Sequence, residues 1–297
     1  MEQREPRNIT ALCSLLGYSR QAFYQGQQQM QKEVFEQEIL LQEVLAIRTK
    51  QKRLGGRRLL VKLNEFMQSH AINMGRDAFF DLLSYNGLLI KSRKRKKPVT
   101  TNSYHRFKKY KNLISQYIPT APNRLWVCDI TYITLNGSFA YLSLITDAYS
   151  RKIVGFYLSK TLEAAGSIKA LQMAIKGCDD VTKLIHHSDR GVQYCSNDYV
   201  KILQKNNIKI SMTENGDPLE NAIAERVNGI LKDELLDDKF GSYQIAQNEV
   251  AVAVSIYNYE RPHSSIEFLT PIEAHQKSGK LERKWKNYYQ KKENTAA

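Results

Sequence analysis

Through the first ninety positions the apolar residues return every three or four places, the period of helices that bury one face. Residues 9–24 read as a short helix, a turn at Gly17, and a second helix opened by Ser19 as N-cap. From 31 to about 52, Val34, Leu40, Leu41, Val44, Leu45 and Ile47 keep helical spacing. Residues 57–70 gather Leu59, Leu60, Leu63 and Phe66 into one stripe, and a turn at 71–74 leads into a further helix over 75–83. Two short helices about a tight turn have the outline of a helix-turn-helix, and a purely structural helical hairpin has the same outline.

Near Pro122 the pattern changes from helical to strand-like. Residues 125–133 are rich in aromatic and β-branched side chains and predict a strand. Asn136-Gly137 predicts a hairpin turn, 139–145 a second strand, and 153–158 a third. Thr161 is expected to cap a helix over 162–176; 184–187 is a short buried strand, Ser196 opens a helix to Lys205, and 208–212 is a fifth strand. An antiparallel trio, then helix, strand, helix, strand, predicts an α/β fold: a mixed five-stranded sheet with helices on its faces, behind an all-helical, helix-turn-helix-like region.

With 297 residues the chain is long enough for two domains. The boundaries expected are a helical region at 1–90, a basic linker at 91–120, a core at 121–275 and a basic tail at 276–297. Charge adds a partner to this outline. Lys and Arg number 44 against 30 Asp and Glu, a net charge of +14, which attracts polyanions. Between Lys91 and Lys111 there is no acid, while Arg93, Lys94, Arg95, Lys96, Lys97, Arg106, Lys108 and Lys109 follow closely on one another. Such a run suits nucleic-acid phosphates and binds them salt-dependently. Tyr104, Phe107 and Tyr110 interleave with these charges and suit either stacking on bases or packing on the next domain. The four cysteines have no C-x-x-C spacing, and no leader or membrane-length apolar run is present, so a cytoplasmic, nucleoid-associated protein is expected.

Three carboxylates stand out as candidate chemistry. Asp129 interrupts an apolar strand, where a carboxylate is costly unless paired or bound to a metal. Asp189 follows a buried strand at the sheet edge where α/β proteins commonly place their chemistry. Glu225 falls on a helix expected to start with Asp217 as N-cap, Pro218 at the first position and Glu220 as capping-box partner. Leu219, Ala222, Ile223, Val227, Ile230, Leu231 and Leu235 make that helix's apolar stripe, and Asn221, Glu225, Asn228 and Lys232 share another flank. Carboxylate oxygens suit Mg²⁺ or Mn²⁺, and a pair of such ions clamps both oxygens of a phosphoryl displacement. A zinc hydrolase is excluded because adjacent His186 and His187 point to opposite faces of a strand. No G-x-S-x-G and no phosphate-binding glycine loop is present.

The run Trp126-Val-Cys-Asp129-Ile-Thr-Tyr-Ile, then His187-Ser-Asp189-Arg-Gly-Val-Gln-Tyr, then Asn221-Ala-Ile-Ala-Glu225, resembles the integrase-core (DDE) transposases of bacterial insertion sequences. Positions 190–224 place 35 residues between the second and third acids, the spacing of the IS-three family. Tyr257-Asn258-Tyr-Glu-Arg261-Pro262-His263 and Thr270-Pro271 resemble the family's closing motif, and the helical and basic segments resemble its second reading-frame product. The chain departs from the pattern with Glu214, where many relatives carry a basic residue, and with Glu220-Asn221-Ala222 in place of Asp-Asn-Ala.

The resemblance implies an RNase H-like fold, with Asp129, Asp189 and Glu225 holding two Mg²⁺ or Mn²⁺ ions. It implies cleavage at element ends and 3′-hydroxyl strand transfer into target DNA. Lys232, seven positions after Glu225, is expected on a phosphate of the element end. Asn221, Asn228, Arg190, Arg261, His263 and the run Arg93, Lys94, Arg95, Lys96, Lys97 are the other DNA contacts expected. The implied partners are the terminal inverted repeats, target DNA, the upstream reading-frame product, and further copies of the chain on DNA. The alternative is a non-catalytic DNA-binding repressor or inhibitor derived from such an element. The three intact carboxylates weigh against it, because a pure binder gains nothing from acids placed against phosphates.

Overall fold

The computed structural model describes residues 8–91, 105–214 and 221–284. The expected strands form one mixed sheet in the order β3-β2-β1-β4-β5. β1 (Leu125–Leu135), β2 (Ser138–Asp147) and β3 (Ile153–Ser159) make an antiparallel meander. Gly137 turns the first hairpin at φ 79°, a left-handed conformation that glycine adopts without Cβ conflict. β4 (Ile185–Ser188) pairs parallel to β1, and β5 (Lys209–Met212) parallel to β4. Parallel neighbours need crossovers, and helices supply them.

Alternation along β1 sorts its side chains into two cores. Trp126 and Cys128 pack with Leu171 and Ala174 of α6 (Ala164–Lys176) and with Tyr199 and Leu203 of α8 (Asn197–Lys205). On the opposite face, Ile133 and Leu135 meet Val227 and Ile230 of α9 (Ala222–Ile230), the π-turn Leu231–Leu235, and α10 (Tyr243–Tyr259). Helices thus cover both faces of the sheet, the RNase H-like layering expected. The short α7 (Val192–Cys195) links β4 to α8, and α11 (Pro271–His275), opened by a Thr270–Glu273 capping box, closes the core.

The N-terminal region is helical but divided differently from the expectation. After α1 (Ile9–Leu16), the segments expected at 19–24 and 31–52 are one continuous helix, α2 (Arg20–Lys50). The stripe at 57–70 breaks at Leu63 into α3 (Gly56–Lys62) and α4 (Asn64–Ser69), followed by α5 (Arg76–Tyr85). Leu40 and Val44 pack against Leu59, Leu63, Phe79 and Leu83, whereas Val34 and Leu45 are exposed. In the core, α6 begins at Ala164 with Glu163 as N-cap, two residues beyond the start expected from Thr161. Asp217, Pro218, Leu219 and Glu220, the expected start of the glutamate helix, lie outside the described residues.

Ion pairs bind the two regions. Lys52 meets Asp237 at 3.0 Å, Arg58 meets Glu234 at 3.4 Å, and Lys62 meets Glu260 at 4.0 Å. The second half of the basic linker lies along the core. Lys111 O accepts from Met212 N–H at 3.4 Å, and Ser211 Oγ accepts from Leu113 N–H at 2.9 Å. Phe107 and Tyr110 are half-buried there, while Arg106, Lys108, Lys109 and Lys111 remain exposed. Tyr104 lies outside the described residues.

Candidate active site

β1 and β4 place Leu125 opposite Ile185 and Val127 opposite His187. Two residues further on, Asp129 follows along β1 and Asp189 stands just past the end of β4. The register of a parallel pair therefore brings together two acids sixty positions apart in sequence. They line a cleft of about 20 Å³ with Ile130, Tyr132, Leu162, Gly191, Gln193 and Tyr194, room for one water-sized occupant.

Each carboxylate is held. Asp129 Oδ1 accepts from the Ile130 N–H at 2.8 Å, and its Oδ2 accepts from Asn228 Nδ2 at 2.7 Å. Burial, then the charge of Asp189, pushes Asp129 up to about 7, against the pull of those two hydrogen bonds; Glu225 adds a smaller push. Asp189 Oδ1 accepts from the Gly191 N–H at 3.0 Å. A Cβ at position 191 would stand 2.9 Å from that oxygen, so glycine is what lets the loop close over the carboxylate.

α9 lies across β1 and is tied to it at three points. Asn221 Nδ2 donates to Cys128 O at 3.0 Å, Asn228 to Asp129, and Lys232 Nζ to Thr131 Oγ1 at 3.3 Å. Of the flank expected from the sequence, these three residues turn toward β1, while Glu225 between them is exposed. Lys232 belongs to the π-turn, closed by Leu236 N–H to Leu231 O at 2.8 Å. Single π-turns within helices concentrate at functional sites.

The carboxylate donor set fits a hard divalent cation: two half-buried acids share a cleft, the charge of Asp189 raises the proton affinity of Asp129, and a third acid acts on Asp129 through its charge. As placed, no group of three His, Cys, Asp or Glu side chains among the described residues is close enough to hold a metal ion. Glu225 is thus the member not drawn in.

Several expected DNA contacts are placed elsewhere. Arg261 is fully buried and forks onto Glu234, Nε to Oε2 and Nη2 to Oε1, both at 2.8 Å. His263, 3.1 Å from Arg261 Nη1, is buried and shifted well below its usual range, first by burial and then by the charge of Arg261. Both are buried and brace the core beneath the Arg58 contact, turned to protein rather than to solvent. Asn221 and Asn228 are likewise buried and face β1. Arg190 is half-buried, its carbonyl 2.8 Å from His105 Nε2. Arg93, Lys94, Arg95, Lys96 and Lys97 lie outside the described residues.

Sequence reasoning missed a buried polar chain behind the cleft. Cys128 Sγ is 2.9 Å from His186 Nε2, which is 2.8 Å from Tyr199 OH, joining β1, β4 and α8. Burial lowers His186 to about 3 and keeps the imidazole neutral. His187 points the other way, Nδ1 at 2.9 Å from Ser211 Oγ, as strand alternation requires. The cysteines of the chain are free.

Residues 119–218 and 206–271 match two models of the integrase core domain. The 31 kDa protein of insertion element IS600 from Shigella sonnei is 35% identical over 272 residues, covering 90% of this chain and 98% of that one. Transposase InsF for insertion sequence IS3A of Escherichia coli is 30% identical over 278 residues, covering 91% and 95%. This chain belongs to the IS3-family insertion-sequence transposases that carry an integrase core domain. Among solved structures, the HTLV-2 integrase catalytic core domain in complex with magnesium aligns with 53% of this chain and 99% of its own, at a TM-score of 0.43 and 20% identity. No helix among the described residues is long and apolar enough to cross a membrane.

Proposed function

We propose that this chain is the polynucleotidyl transferase of its element, with Asp129, Asp189 and Glu225 holding Mg²⁺ or Mn²⁺, two ions in the full site. The observation that supports this reading is the meeting of Asp129 and Asp189 in one cleft just past the Val127–His187 pair of β1 and β4, with Asp129 raised to about 7. Two acids in one cleft repel each other and cost stability unless a cation joins them. A bound divalent ion supplies Lewis acidity at the phosphoryl oxygens and lowers the proton affinity of an attacking oxygen.

The chain's own residues do the positioning. Asn228 and the Ile130 amide fix Asp129, and the Gly191 amide fixes Asp189. Glu225 on α9 brings the third carboxylate, and Lys232 in the π-turn presents its ammonium to a phosphate of the element end. First, water attacks the phosphodiester at that end and leaves a 3′-hydroxyl. That hydroxyl then attacks a target phosphodiester in line; one P–O bond forms as another breaks, so no ATP is needed. The exposed Arg106, Lys108, Lys109 and Lys111, tied beside Asp189 by the His105–Arg190 contact, guide the DNA backbone toward the cleft. Terminal repeats and target are the DNA partners, and several copies act on DNA together.

Binding of Mn²⁺ to the purified protein tests the donor set without DNA. Calorimetric or electron-paramagnetic binding is expected for the natural chain and lost in Asp129→Asn and Asp189→Asn. Equal binding in both variants would overturn the assignment.

A further inference from the structure

α2 has 31 residues, about 46 Å of helix, yet its buried residues are Leu40 and Val44 near the C-terminal end. Before them, large apolar side chains stand in solvent. Met30 is 67% exposed, Val34 50% and Phe35 62%; on α1, Leu15 is 82% exposed and Leu16 61%. Single exposed hydrophobics are ordinary, but a concentration of this kind on one helical hairpin marks a contact surface.

The spacing names the kind of contact. Phe23, Gln27, Met30, Val34, Gln37, Leu41 and Val44 alternate by four and three positions, the seam of a coiled coil. Leu41 and Val44 at its end already pack in the N-terminal core. Past the α1 hairpin the seam continues uncovered among the described residues, with Met30 67% and Val34 50% exposed.

Charge names the partner. Residues 8–38 carry Arg20 and Lys32 against Glu33, Glu36 and Glu38, a nearly neutral stretch in a chain of net charge +14. Phosphates are attracted elsewhere on this molecule. A second, equally basic copy meets no net repulsion here. The ends are opposite in sign: Arg20 opens the helix, and the three glutamates lie toward its middle. An antiparallel pairing with its two-fold axis between Gln28 and Gln29 sets Phe23 opposite the partner subunit's Val34 and Gln27 opposite the partner subunit's Met30. It also brings Arg20 between Glu36 and Glu38 of the partner subunit. A parallel pairing sets like charges together.

We propose that the exposed half of α2 docks antiparallel on α2 of a second copy of this chain, forming a dimer through a seam separate from the catalytic cleft. The contact is isologous and self-closing. Sedimentation of the full chain without DNA is expected to show a dimer. Met30→Glu with Val34→Glu should raise its dissociation constant on the order of a hundredfold, about 2.7 kcal/mol. Both positions are exposed, and an unchanged circular-dichroism spectrum checks the fold. Arg20→Glu should weaken the dimer, and Glu36→Arg with Glu38→Arg in the same chain should restore it. On a Cys178→Ser background, Gln27→Cys mixed with Met30→Cys should cross-link under mild oxidant. A monomer at all concentrations, a dimer unmoved by the glutamates, or loss of DNA binding with association unchanged would overturn the proposal, the last outcome assigning the face to DNA.

Discussion

The carboxamide of Asn228 stands 2.7 Å from Asp129 Oδ2, so α9 grips the acid that β1 presents. The amide nitrogen donates and the carboxylate accepts, which orients Asp129 and lowers its proton affinity against burial. Groups that orient a metal-binding side chain commonly contribute 10–100-fold to metal affinity or activity. Asn228→Ala is therefore expected to reduce strand transfer by roughly that factor, ~10–100-fold, with much of the loss recovered at high Mn²⁺. A metal titration of the joining reaction checks this; unchanged activity at low metal would remove Asn228 from the site.

Asp129 carries a folded value of about 7 against an ordinary 3.8. The folded chain holds this proton more tightly than the unfolded chain. Its contribution to stability is complete below pH 3.8 and is lost as pH rises through 7. In chelator at pH 8, Asp129→Asn should melt several degrees above the natural chain, with the gap closing toward pH 4. Divalent metal should stabilise the natural chain and leave the variant unmoved. Thermal melts across that range, with and without metal, provide the check.

His186 has the opposite sign. Burial lowers it from 6.5 to about 3, so its contribution is present above pH 6.5 and is lost as pH falls toward 3. His186→Gln should be less stable than the natural chain at pH 8, having lost the contacts to Cys128 and Tyr199, yet lose less stability between pH 6.5 and 4. Parallel acid melts of the two proteins decide it, and equal slopes would show that His186 does not carry the acid response.

Arg261 is expected to act through stability alone. Breaking a buried ion pair from one side costs about 3–5 kcal/mol, and Arg261→Met leaves Glu234 with only the longer Arg58 contact. The variant should melt far lower, while its folded fraction binds element-end DNA with an unchanged salt slope. A slope reduced by about one would return Arg261 to the phosphate contacts.

The core strands were legible because β1, β2 and β3 are runs rich in aromatic and β-branched residues and Asn136-Gly137 marks the hairpin between the first two. The two acids were legible for a related reason, since Asp129 breaks an apolar strand and Asp189 ends one. Their closeness was not, because it depends on the parallel register of Val127 with His187, which is set by a crossover and by no local pattern. Helical period placed Asn221, Asn228 and Lys232 on one flank but could not say that β1 lies beneath it. The burial of Arg261 was hidden for a plain reason. Arginine is seldom buried, and only the fold shows that Glu234 waits for it. The continuity of α2 was hidden by a run of glutamines that neither breaks a helix nor supplies an apolar face.

The most direct test of the account is strand transfer by the purified chain, using labelled element-end DNA with a free 3′-hydroxyl, a target plasmid and Mg²⁺ or Mn²⁺. Metal-dependent joined product is expected, reduced to background in Asp129→Asn, Asp189→Asn and Glu225→Gln while end binding persists. If the isolated chain binds without joining, the same assay on a fusion to the upstream reading-frame product must restore joining. Joining undiminished in Glu225→Gln would contradict the three-carboxylate site. Binding without joining in every form would contradict the enzyme and leave a DNA-binding repressor.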